Sequence, residues 1–189
     1  MSATNSPFGF RPVDHPTGNA RAKVYQIASG YATTLYKGTM VTLNTSGTIT
    51  ISAAAADFLG IFMGCEYVDA TGKPTVSNFW PASTTVLSGT TVTAYVLDDE
   101  DTEFEVQSDG SVAQTAIGDQ ADVTSVGAGS TATGLSTSTL NSTLVGAGVQ
   151  GQWRIIGFGQ APDNAVGDAF TVVRVKMARS QYRANKTAI

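Results

Sequence analysis

Residues 35–64, LYKGTMVTLNTSGTITISAAAADFLGIFMG, restrict the fold more than any other stretch of the chain. Val41 and Leu43 fall on one side of an extended backbone, Met40 and Thr42 on the other. Asn44, Thr45, Ser46 and Gly47 supply the chemistry of a tight turn. Ile49 and Ile51 then resume the alternation against Thr48, Thr50 and Ser52. A period of two on both sides of a turn cluster predicts a β-hairpin. Leu59, Ile61 and Met63 alternate with Gly60, Phe62 and Gly64, which predicts a third strand on or beside the hairpin. Gly60 and Gly64 leave room for another backbone to come close. Such a unit is the wall of a small barrel or sandwich.

The rest of the composition agrees with an all-β chain. Only 14% of the 189 residues are charged, while small and β-branched residues abound, and that balance favours strands over helices. The length suits one domain with its own core. The net charge of −4 disfavours nucleic acid, which selects clustered Lys and Arg. No apolar run approaches the ~20 residues of a membrane helix. The N-terminal MSATNSPFGF has neither the basic nor the apolar region of a signal peptide. The expectation is a protein made in the cytoplasm, with no membrane and no nucleic-acid partner.

In chain order, residues 1–22 hold Pro7, Pro12 and Pro16 with Gly9 and Gly18, which predicts an extended arm. Phe8 and Phe10 in that arm either pin it to its own barrel or dock on a neighbouring subunit. Removal of residues 1–12 is expected to leave the barrel folded, since no predicted strand is lost. Residues 23–124 form the barrel core. Lys23 begins a weak first strand, and 91–97 a clear one with Val92, Ala94 and Val96 on one face. Phe104 and Val106 point inward from a further strand. The Asp109-Gly110 turn predicts a hairpin whose return strand starts at Val112. Residues 125–151, rich in Gly, Ser and Thr, read as a long surface loop. Residues 152–178 supply the closing strands, with Trp153 and Ile155, then Thr171, Val173, Val175 and Met177, on inner faces. Residues 179–189 form a polar tail.

The chemistry-bearing residues are few. Asp98, Asp99, Glu100 and Asp101 make an acidic run, but no frame of it puts glycine at the sixth position of an EF-hand loop, and strands flank it. His15, the only histidine, sits between Asp14 and Pro16. A lone histidine with one distant cysteine does not make the usual zinc site. No Gly-x-Ser-x-Gly elbow is present to hold a nucleophile. Cys65 reads as a small buried hydrophobe, and Trp80 as a core or rim residue. The expectation is a non-catalytic protein with no cofactor and no metal.

Several phrases resemble the capsid-associated proteins of tailed bacteriophages: SPFGFRPV (residues 6–13), IASGYATTLYKGTMV (27–41), NFWPAS (78–83), EFEVQSDGSVAQTAIGDQADV (103–123) and APDNAVGDAF (161–170). The pattern of residues 37–52 and 57–64 is similar to the β-tulip of lambdoid head decoration proteins. The resemblance implies a tulip-like barrel or sandwich and a cement or decoration role on the capsid exterior of a virion. It implies a homotrimer that bridges subunits of the major capsid protein. Phe8, Phe10, Arg11, Trp80, Tyr182 and Arg183 are the candidate interface residues. A carbohydrate- or receptor-binding module on the virion, or a head–tail connector component, is the alternative.

Overall fold

The structure, a computed structural model, describes residues 2–182. Its strands begin with Arg11–Asp14 (β1), Lys23–Ile27 (β2), Leu35–Tyr36 (β3), Thr39–Leu43 (β4) and Ile49–Ile51 (β5). Gly60–Val68 (β6), Pro74–Ser77 (β7), Phe79–Trp80 (β8), Val92–Leu97 (β9) and Glu103–Gln107 (β10) follow. Five short strands come next: Gln120–Ala121 (β11), Val123–Thr124 (β12), Gly129–Ser130 (β13), Leu135–Ser136 (β14) and Thr139–Leu140 (β15). Trp153–Phe158 (β16) and Val172–Met177 (β17) complete the set. The fold is all-β, and every pairing between named strands is antiparallel.

Two large sheets carry the architecture. One has the order β2-β9-β6-β4-β5, with β7 also on β6. The other has the order β1-β10-β17-β16-β11. The expected hairpin is β4–β5, with Val41 opposite Ile51 and Leu43 opposite Ile49. The Asn44 side chain builds its turn by accepting hydrogen bonds from the N–H groups of Ser46 and Thr48. The third strand is β6, paired to β4 through Phe62, Ile61 and Gly60. At Gly60 the approach of a second backbone is literal: a Cβ there would lie 2.2 Å from the Leu97 carbonyl oxygen.

Among the described residues no sheet closes into a barrel. The ends of the six-stranded sheet, β2 and the β5 hairpin, come together at an isolated bridge between Gln26 and Thr48 without forming a ladder. The barrel expectation is thereby reduced to a curled sheet with a second sheet packed on it. The physical reason is visible along β4 and β6, which are apolar on both faces. Met40 and Ile61 face a core shared with the five-stranded sheet, while Val41 and Phe62 face a second core. A β-bulge between Phe62 and Gly64 then shifts the alternation, so Cys65 and Tyr67 continue the second core.

Other expectations change for reasons equally local. Residues 2–14 are not a free arm. Phe10 is only 2% exposed, inside the first core, and β1 pairs with β10. The Gln107 side chain accepts the Ser6 N–H and donates to the Thr4 carbonyl, acting as a surrogate strand. Val112 starts no return strand. It is buried, the Thr171 hydroxyl accepts its N–H, and a 3-10 turn follows at Gln114–Ala116. Within 125–151 the chain is not merely laid on a surface: Leu140, Ser136 and Ser138 are fully buried. Its small residues allow close approach, since a Cβ on Gly129 would collide with the Tyr36 ring. Of the polar tail, Gln181 brackets Leu43, accepting its N–H at 2.7 Å and donating to its carbonyl at 3.1 Å.

Candidate functional site

A largely apolar depression runs along the N-terminal segment, with a volume of about 410 Å³. Phe8, Phe10, Arg11 and Pro12 form one wall. Lys37, Met63 and Leu135 form the other. The walls are held by backbone bonds: the Phe10 N–H donates to the Gly38 carbonyl at 3.0 Å, and the Lys37 N–H to the Gly134 carbonyl at 3.0 Å. Gly38 is required at that junction. Its φ is +87°, and a Cβ would lie 3.1 Å from the Phe10 backbone.

The electrostatics of the groove are cationic. The Arg11 guanidinium lies 5.0 Å over the Phe8 ring and pairs with Glu105. Glu105 is shared with Arg174, which also faces Glu103, and Lys176 completes the ladder across β1, β10 and β17. Two carboxylates therefore meet three cations. Lys37 has no acidic partner among the described residues.

The structure brings together three of the expected interface residues and separates the others. Phe8, Phe10 and Arg11 share the groove. Phe10, however, is a core residue stacked on Trp153 at 4.3 Å, so its side chain is not free to enter a neighbouring subunit. Trp80 is likewise corrected: it is fully buried, packed edge-on against Tyr67 at 5.2 Å, with Nε1 donating to the Tyr31 carbonyl. Tyr182 is 54% exposed and lies apart from the groove, near Tyr25. Arg183 lies outside the described residues. Lys37, Met63 and Leu135 were not singled out from sequence. Leu135 sits in a low-complexity stretch and Lys37 between two short strands, joined to it by an isolated bridge that no periodicity announces.

The acidic run has a structural role. The Asp98 side chain is fully enclosed, with Oδ2 receiving hydrogen bonds from Lys23 Nζ at 3.0 Å and Tyr25 Oη at 2.6 Å. Burial first, then the Asp98 carboxylate, pushes the Tyr25 phenol upward. Asp99 accepts the Asp101 N–H and lies 3.2 Å from His15 Nε2. Among the described residues, no group of three or more His, Cys, Asp or Glu side chains is placed to hold a metal ion. Cys65 is buried, and burial pushes its thiol up to about 12. No helix among the described residues is long and apolar enough to cross a membrane.

A second surface lies on the far half of the six-stranded sheet. Beyond the β6 bulge, Val24 stands opposite Tyr95 and Glu66 opposite Val76. Val76 is 81% and Val24 63% exposed. The Glu66 carboxylate holds the Tyr95 hydroxyl between them, pushing that phenol up. Compared with protein-family models, with curated proteins and with solved structures, the chain matches none.

Proposed function

We propose that the protein is a non-catalytic component of a tailed-bacteriophage particle that binds the major capsid protein on the shell exterior and bridges neighbouring subunits. The observation that carries this is the open half of the six-stranded sheet, where Val24, Tyr95 and Val76 line one antiparallel face. A set of exposed apolar side chains on a regular sheet suits coverage by another protein. The capsid-like phrases in the sequence supply the identity of the partner. Cementing needs many modest contacts rather than one strong one, and a closed homotrimer multiplies them. An exposed, flat aromatic face at Trp80 or Tyr31 would favour the carbohydrate alternative, but Trp80 is enclosed and Tyr31 half-buried.

The test is co-sedimentation of the purified protein with shells that lack it, beside a Val24→Asp, Val76→Asp double variant. Wild type is retained and the variant is lost, with both showing the same β signal by circular dichroism. Wild type left in the supernatant overturns the proposal. Light scattering of the free protein and the symmetry of its density on the particle test the trimer; isolated monomers on the shell defeat it. A copy number per particle far below that of the shell protein points to the head–tail connector instead.

A further inference from the structure

We propose that the groove between the N-terminal segment and Lys37 binds an acidic peptide segment carrying an apolar side chain. This assignment rests on the reading that the protein's partner is another protein, and it names the chemistry the partner must present. Phe8 on one wall faces Met63 and Leu135 on the other, and these partly exposed side chains make the apolar lining that serves as its floor. The volume of about 410 Å³ lies within the roughly 300–1,000 Å³ typical of ligand sites.

Charge selects the occupant. Arg11 and Lys37 stand on opposite walls of that floor. Four other cations are already paired with carboxylates: Lys23 with Asp98, Lys176 with Glu103, Arg174 with Glu103 and Glu105, and Arg179 with Asp57. Lys37 is half-buried with no carboxylate of its own among the described residues. A partly desolvated ammonium gains most from a carboxylate brought to it. The Glu105 carboxylate beside Arg11 does not cancel this, because Arg174 shares it. Strand addition is not the mode. Pro12 offers no N–H to an incoming strand, and the Phe10 N–H is already given to Gly38. Recognition therefore runs through side chains: an apolar group on the floor and a flanking carboxylate on Lys37 and Arg11.

The experiment is a methyl and amide NMR titration of the full chain with the capped peptide acetyl-Asp-Leu-Asp-Leu-Asp-amide at up to millimolar concentration. The expected result is saturable shifts at the Met63 and Leu135 methyls and at the Lys37 amide. Lys37→Glu weakens binding by about tenfold or more, the loss of ~1.4 kcal/mol of charge-assisted contact. Lys37→Arg retains it, and the Asn-for-Asp peptide binds as weakly as the Glu variant does. No shift at Met63 and Leu135, or shifts of equal size with Lys37→Glu, overturns the proposal. Concentration-dependent shifts at those residues without peptide make a second copy of the chain the occupant, which also overturns it. Peptide binding by a protein that shells do not retain upholds the groove and sinks the capsid assignment. Full retention of Lys37→Glu on shells, with peptide binding lost, separates the groove from the shell contact and overturns it as the partner's seat.

Discussion

The molecule has two cores, each centred on a fully buried tryptophan, and they are assembled in opposite ways. The core around Trp80 draws on residues between Ile27 and Val96, a nearly continuous stretch of chain. Trp80 there has one aromatic neighbour, Tyr67. The core around Trp153 gathers residues from Phe10 to Met177. Its ring is flanked by Phe10 at 4.3 Å, Phe58 at 5.0 Å and Phe104 at 5.5 Å, and Nε1 points to the Met40 sulfur at 3.2 Å. A local core forms from short loop closures, whereas a core tied together from both ends of the chain does not. The Trp153 core thus depends on segments that look dispensable in sequence, and the N-terminal segment is the first of them.

Phe10→Ala tests that dependence with the largest expected effect. Removing a buried phenylalanine costs about 3–5 kcal/mol, and the stack on Trp153 is lost with it. Phe8→Ala, two residues away and half-exposed, is expected to cost well under half as much. Urea unfolding of both variants checks the contrast. Equal and small losses mean that the N-terminal segment lies outside the core. Deleting residues 1–12 removes the same plug and part of β1, so the truncated protein should lose its cooperative transition rather than only its partner.

Gly60→Ala probes the strand that both cores share. A Cβ there would meet the Leu97 carbonyl oxygen at 2.2 Å and the Asp98 Cα at 2.9 Å. Both are backbone, so β6 and β9 must part. Overpacking of this kind costs about 1–3 kcal/mol. Because Ile61 and Phe62 feed opposite cores, hydrogen exchange should accelerate both in the six-stranded sheet, at β9 and β4, and in the five-stranded sheet packed on it. Acceleration confined to one sheet would show that the two cores are uncoupled.

The same contrast explains what was legible in the sequence. The hairpin, β6 and β9 were readable because their alternation is intact and their turn residues adjoin them. Val92, Ala94 and Val96 were placed on one inner face, and all three are buried. Phe10 was ambiguous because prolines and glycines break every period around it, and its partner lies 143 positions away at Trp153. Trp80 was read as core or rim, and the structure settles it as core. The small residues of 125–151 were unreadable for another reason: composition marks them as loop, and it is the close approach of Ile51 to Gly127, of Tyr36 to Gly129 and of Gly9 to the buried Ser136 that makes small residues necessary there. Of the candidate site, one wall was visible through Phe8 and Arg11. The other wall is made by the fold alone.

Gln181→Ala measures how far the C-terminal segment is tied to the Trp80 side. Its amide brackets Leu43 with two hydrogen bonds, each worth about 0.5–1.5 kcal/mol net. The expected loss is about 1–2 kcal/mol, with faster exchange at the Leu43 amide. An unchanged Leu43 exchange rate would mean that water replaces the bracket at no cost.

The smallest effect is expected at the turn joining β9 to β10, where the two regions meet. The Asp101 N–H, and to a lesser degree His15, hold the Asp99 carboxyl below the usual carboxylate range, against a weaker opposing push from burial. A carboxyl with a depressed pKa in the folded protein binds its proton more weakly there than in the unfolded chain. Its stabilisation is therefore present above the unfolded value of about 3.9 and is lost as the pH falls through the folded one. Asn at this position keeps an acceptor for the Asp101 N–H but no charge. Half of the Asp99 side chain is exposed, so solvent screening limits the difference to less than about 1 kcal/mol. Asp99→Asn should thus be slightly less stable than wild type at about pH 7, with a smaller deficit at about pH 3, where the unfolded chain already binds the proton. Urea midpoints at the two pH values decide it. A deficit that persists undiminished at the lower pH would assign the cost to altered turn geometry, and the charge at the junction would then contribute nothing to holding the two regions together.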